Sequence, residues 1–176
     1  MIKLIVCLFA VCLAVPPLRA GETPDPRVRT YVDPVRLVWQ VATNAPGGAR
    51  RVRARVENAD CLLTPKRGQV CEGLFGKASG ARLRNDGHDA GLVLDFGREL
   101  HGGLQLGMSP GGTANARLRV RFGESVAEAM SAIGERGASN DHAMRDFVVS
   151  VPSFGTLEVG HTGFRFVRLD LVSGGE

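Results

Sequence analysis

"ARLRVRFG", residues 116–123, decides the fold class. Leu118, Val120 and Phe122 alternate with Arg117, Arg119 and Arg121, which is the two-residue period of a strand with one apolar and one polar face. "RRVRARV" (50–56) repeats the pattern upstream. Further strand candidates are "VRLVWQV" (35–41), "GLVLDFG" (91–97), "FVVSVP" (147–152), "GTLEVG" (155–160) and "FRFVRLDLV" (164–172). "GGLQLGM" (102–108) reads as the hairpin partner or neighbour of 91–97. Gly, Pro, Asn and Asp turns separate these runs, and their spacing has no βαβ rhythm. The expectation is an all-β protein, an antiparallel β-sandwich of jelly-roll-like form with at most one short helix. That helix is placed near Ser125–Ile133, with Val126, Met130 and Ile133 on its buried side. Phe164 and Phe166 fall two apart in one strand, so both are expected on the core face.

The chain has 176 residues and a formal net charge of +4. "MIKLIVCLFAVCLAVPPLRA" (1–20) has an early Lys3, an apolar run from Leu4 to Val15 and a Pro-containing approach to Ala20. This is the pattern of a secretory signal peptide, with an apolar run too short for a comfortable membrane span. A secreted or periplasmic protein is therefore expected, with no membrane association after cleavage. Its net charge falls to +2 once Lys3 and Arg19 leave. Residues 21–34 read as a Pro-rich lead-in, 35–172 as the sandwich domain and 173–176 as a short tail. The arginines of 50–55 and 117–121 alternate with small or apolar residues as strands do, and with one Trp and one Tyr there is little to stack on bases. Nucleic acid is not an expected partner. Cys61 and Cys71 remain after the signal, and either a disulfide or two buried thiols fits an oxidising compartment.

"RFGESVAEAMSAIGERGASNDHAMRD" (121–146) concentrates charge in a stretch that otherwise reads as loop and a short helix. Glu124 and Glu128 would lie one helical turn apart, within the roughly 5–9.5 Å that separates the two carboxylates of a glycosidase. The same spacing is common on a solvated helix face. Asp141, His142 and Asp146 bring two carboxylates and an imidazole within six residues, but without the alternating acidic spacing of a calcium loop. Ser125 or Ser139 with His142 and Asp146 can be written as a triad, but no strained nucleophile turn accompanies it. The balanced reading is structural. Arg121, Arg136 and Arg145 offset Glu124, Glu128, Asp141 and Asp146 and brace an irregular connection. In "GRELHGG" (97–103), Arg98, Glu99 and His101 are candidate sugar contacts, while Gly102 and Gly103 mark a tight turn or a close backbone approach.

"LDFGRELHGGLQL" (94–106), "VRFGESVAEAMSAIGERGASNDHAMRD" (120–146) and "LEVGHTGFRFVRLDL" (157–171) resemble, in order and spacing, the non-catalytic β-sandwich region of bacterial family 78 glycoside hydrolases, the alpha-L-rhamnosidases. "YVDPVRLVWQ" (31–40) and "VENADCLL" (56–63) resemble its N-terminal part, so the resemblance covers about residues 30–172. In that family, inverting hydrolysis takes place in a separate (α/α)6 barrel carrying a general-acid and a general-base Glu. The resemblance implies a non-catalytic accessory domain, with that barrel as its partner in cis and rhamnose-containing polysaccharide as a further partner. The chain stops at "SGGE" (173–176) where the family continues, which implies a truncated product or a fragment. No catalytic residue, metal or cofactor is expected in this region. Arg98, Glu99, His101, Arg121, Glu124, Glu128, Asn140, Asp141, His142, Arg145 and Asp146 are the expected ligand or domain-interface residues. Two alternatives stay open: a carbohydrate-binding module, for which Trp39 and Tyr31 are the leading stacking aromatics, and a self-associating structural piece.

Overall fold

The computed structural model describes residues 28–44, 52–54, 56–63, 80–84, 90–108, 115–136 and 145–174. The chain divides into two units, Met1–Tyr31 and Val32–Glu176, and the second carries the sheet. Its strands are β1 (Arg36–Asn44), β2 (Val52–Ala54), β3 (Ala90–Met108), β4 (Ala116–Gly123), β5 (Arg145–Val151) and β6 (Gly155–Ser173). A 3-10 turn covers Ala59–Leu63 and a short α-helix, α1, covers Val126–Met130. The spatial order is β2-β1-β3-β6-β4-β5, and every neighbouring pair is antiparallel. Five strands make the main sheet and β2 extends β1 at its far end. β6, the last strand in the chain, inserts between β3 and β4, so the centre of the sheet joins the two halves of the sequence.

The alternation of 116–123 has the expected consequence. Leu92, Leu169 and Val120 are successive cross-strand partners, as are Leu94, Val167 and Phe122. Residues directly opposite share a face, and all six of these side chains are buried in one cluster with Phe96, Leu104, Leu118, Val159 and Phe164. Val56, Ala59 and the flanks of Leu62 and Leu83 pack against that cluster. A second, smaller cluster joins Val93 and Phe166 to Ala129 of α1, with Trp39, Val126 and Met130 around it. The sheet is therefore covered on both sides where β3 and β6 cross its middle. Burying a fully covered Val or Leu stabilises by about 1.5–3 kcal/mol, and Leu92, Val93, Val120 and Val167 are among the largest fully buried side chains.

Three expectations about the strands need correction. Residues 91–97 and 102–108 are not a hairpin. They belong to the single 19-residue strand β3, and 155–160 and 164–172 likewise merge into the 19-residue β6. Glycine that reads as a turn in sequence here permits bends inside continuous strands. Phe122 has Val167 as its Cα partner, yet a Cβ on Gly160 would lie 2.8 Å from the Phe122 ring. In a straight strand Gly160 and Val167 would be roughly 23 Å apart. β6 therefore curls, and Gly160 at φ +80° supplies the backbone conformation that the curl requires. The distal half of the β3–β6 ladder thus returns Leu104 and Val159 to the same core as Leu92 and Val120. Phe164 and Phe166 are both buried but belong to different clusters. The ladder is irregular between them: Asp95 to Leu100 of β3 spans only Phe166 to Phe164 of β6.

Gly103 resolves as a close approach, whereas a Cβ on Gly102 would meet nothing within 4 Å. A Cβ on Gly103 would meet the Gly160 carbonyl oxygen at 2.5 Å and that of Val159 at 2.9 Å. The expected helix stops at Met130. Ser131 is extended, and Ile133 is 54% exposed rather than buried. The described residues contain one continuous sheet.

Candidate functional site

The chemistry-bearing side chains fall on the rungs of the sheet that alternate with the core rungs. Trp39, Val93, Arg168, Arg121 and Asp146 are successive Cα partners across all five main strands. Two residues along lie Val41, Gly91, Asp170, Arg119 and Val148, again successive partners. A two-residue step keeps the face, so these ten positions form one surface. Arg168 and Arg121 oppose each other directly, an unfavourable pairing of like charges unless an anion is shared. Asp170 is that anion. Its Oδ2 accepts from Arg121 Nη2 at 2.8 Å and its Oδ1 from Arg168 Nε at 2.8 Å.

The same two arginines also secure α1. Arg121 Nη1 donates to the Met130 carbonyl at 3.2 Å, and Arg168 Nη1 donates to that carbonyl at 3.2 Å. The helix C-terminus leaves carbonyls that want donors, and cations suit its negative end. Arg168 also stacks over the Trp39 ring, 4.9 Å from its centroid. Arg121 Nε is buried and has no hydrogen-bond partner among the described residues. Asp146 receives Arg119 in a two-pronged pairing, Nε to Oδ1 at 2.8 Å and Nη2 to Oδ2. That bond holds the Arg119 guanidinium above its ordinary pKa.

A third carboxylate has no solvent exposure at all. Asp95 accepts from Arg165 Nε at 2.9 Å, Arg36 Nε at 2.8 Å and the backbone N–H of Gly97 at 2.7 Å. The Arg165 hydrogen bond, helped by Gly97 and Arg36, outweighs burial and lowers the Asp95 carboxyl to about 2. Arg165 in turn lies over the Phe166 ring at 5.0 Å.

Helix α1 accounts for Glu128 of the 121–146 stretch. Ser125 is its N-cap and accepts from Glu128 N–H at 3.2 Å. Glu128, buried, accepts from the backbone N–H of Glu124 at 2.8 Å, a variant of the reciprocal cap in which the carboxylate reaches one residue further back. Glu135 accepts from Ala132 N–H at 2.7 Å in the following turn. Glu124 itself is exposed beside Gly163.

The remaining expected site residues separate. Arg98, Glu99 and His101 are exposed on β3, and the His101 ring meets that of His161 edge to face with centroids 4.8 Å apart. Arg145 opens β5 and is exposed. Ser139, Asn140, Asp141, His142 and Cys71 lie outside the described residues. Cys61 is a half-buried free thiol whose pKa burial raises. Arg121 does not offset the acids of its own stretch; its partner is Asp170, 49 residues on. Asp146 of the written triad is taken by Arg119, and Ser125 Oγ is taken by the helix cap. Among the described residues no group of three or more His, Cys, Asp or Glu side chains is placed to hold a metal ion.

Sequence reasoning did not single out Asp95, Asp170, Arg36, Arg119, Arg165 or Arg168. One signal was available: in "FRFVRLDL", Arg168 and Asp170 are two apart and so share a face by the strand period.

No protein-family model matches the chain, and no curated protein matches it. Among solved structures, a rhamnosidase from Klebsiella oxytoca with rhamnose bound is similar at 17% sequence identity and a TM-score of 0.42, over 82% of this chain. This chain spans 26% of the length of that protein.

Proposed function

We propose that this chain is an accessory β-sandwich domain of a secreted alpha-L-rhamnosidase-like glycoside hydrolase, supporting a catalytic domain that degrades rhamnose-containing glycans. The observation that carries the non-catalytic part is the state of its carboxylates. Asp95, Asp146 and Asp170 each accept from arginine, and Glu128 caps a helix. Inverting or retaining hydrolysis needs one protonated and one ionised carboxyl facing each other across a sugar-sized gap. Asp95, held ionised by Arg165, cannot supply the protonated partner, and the oxygens of Asp146 and Asp170 are engaged by their arginines. The three stretches that resemble the family's non-catalytic region are also those that build β3, β4, α1 and β6, so the resemblance lies on scaffold. The exposed residues Arg98, Glu99, His101 and Glu124 form the polar surface offered to a catalytic domain.

The carbohydrate-module reading is less well supported, because Arg168 already occupies a face of the half-buried Trp39. The test is direct. The purified chain is expected to hydrolyse no aryl alpha-L-rhamnoside, and to give a flat calorimetric trace with rhamnose-containing polysaccharide. Turnover that tracks the protein and disappears in Glu124→Gln would overturn the proposal. Saturable glycan binding would move the assignment to a carbohydrate module.

A further inference from the structure

The geometry points to a two-imidazole site for a borderline divalent transition metal, Zn2+ or Ni2+, formed by His101 of β3 and His161 of β6. It is independent of the accessory-domain reading. Two imidazoles on one tetrahedral cation, at about 2.0–2.1 Å metal–nitrogen distance, place their ring centres about 5 Å apart. The two rings stand at 4.8 Å. The rings stand edge to face, and the terminal torsion of histidine is broad, so each ring can turn about it.

The backbone presets the pair. Gly102 pairs with Thr162, but Leu104 pairs with Val159, so Gly160 and His161 are set against Gly103 alone. A bulge of this kind re-aims side chains, and it is anchored on one side by buried Thr162 and on the other by Gly103 pressed against the Gly160 and Val159 carbonyls. Ligands mounted on paired strands hold their geometry better than ligands on loops. Both rings are exposed, which gives the ion a path in and leaves its remaining positions to water. Imidazole nitrogen with water suits Zn2+ or Ni2+, not Ca2+ or Mg2+, which want oxygen. Glu124, exposed beside Gly163, the partner of His101, adds negative charge to the same patch.

Calorimetric titration of ZnCl2 into the whole chain tests the site. One saturable equivalent is expected, weakened at least about tenfold, or 1.4 kcal/mol, in both His101→Ala and His161→Ala. His88→Ala and His142→Ala should retain it. Melting of each variant in metal-free buffer checks the fold, and His101→Gln and His161→Gln replace any alanine variant that melts early. Absence of saturable binding in the wild type, binding that survives both ring removals, or binding lost only with His88 or His142 would overturn the proposal.

Discussion

The two halves of the β3–β6 ladder carry their polar residues in opposite ways. Where Ala90–Asp95 pairs with Phe166–Leu171, both faces of β3 are covered, and Asp95 is buried completely between Arg36 and Arg165. Where Leu100–Met108 pairs with Gly155–Phe164, only one face is covered. Leu104 and Val159 enter the core, while His101, His161 and the Gln105–Glu158 pair stand in solvent. The ladder thus uses ionic groups as buried braces at one end and as solvated surface at the other. What separates the two uses is the second layer: α1 seats on the first half through Ala129, Val93 and Phe166. A charge desolvated under that layer must be paired, whereas a polar group on the open half can hydrate.

The contrast yields a graded series of substitutions. Asp95→Ala strips a buried anion from two arginines and a backbone donor, and is expected to lower unfolding free energy by about 2–3 kcal/mol in urea melts. Gly160→Ala or Gly103→Ala attacks the bend that joins the halves. Each forces a Cβ against the Phe122 ring or against carbonyl oxygens, and about 1–3 kcal/mol should be lost in the same assay. Ser125→Ala removes the N-cap of the helix that covers the first half and should cost about 1 kcal/mol. Gln105→Ala, on the open half, should shift stability by no more than about 0.5 kcal/mol. An effect from Gln105→Ala as large as that from Asp95→Ala would erase the distinction.

The strand alternation of 116–123 made β4 readable to its residue limits, because period two with one apolar face admits little else. The length of β3 and β6 was not readable. Gly97, Gly102, Gly103 and Gly160 carry the turn signal in sequence, and only the pairing of β3 with β6 turns those positions into bends within one ladder. The helix start was legible in the Ser125–Glu128 spacing, but its end was not, since Ile133 continues the apolar period past the point where Ser131 breaks it. The ion pairs were the least legible. Arg119 read as part of the polar face of a strand and Arg121 as a counter-charge for the acids of its own stretch, whereas their partners Asp146 and Asp170 lie 27 and 49 residues away. Such diagonal pairs follow from strand register, which depends on the order in which β6 enters the sheet.

The central claim is that the acids of this fold serve as braces, and Asp95 tests it most directly. Its carboxyl has a folded pKa of about 2 against an ordinary 3.8. A depressed carboxylate contributes stability that is fully present above the unfolded value and is lost as pH falls through the folded one. Unfolding free energies of the wild type and Asp95→Asn should therefore be compared from neutral pH down to about 2. The account predicts a wild-type advantage at neutral pH that shrinks as pH drops below about 4. Equal stability of the two proteins at neutral pH, or a gap that stays constant down to the lowest pH, would contradict it.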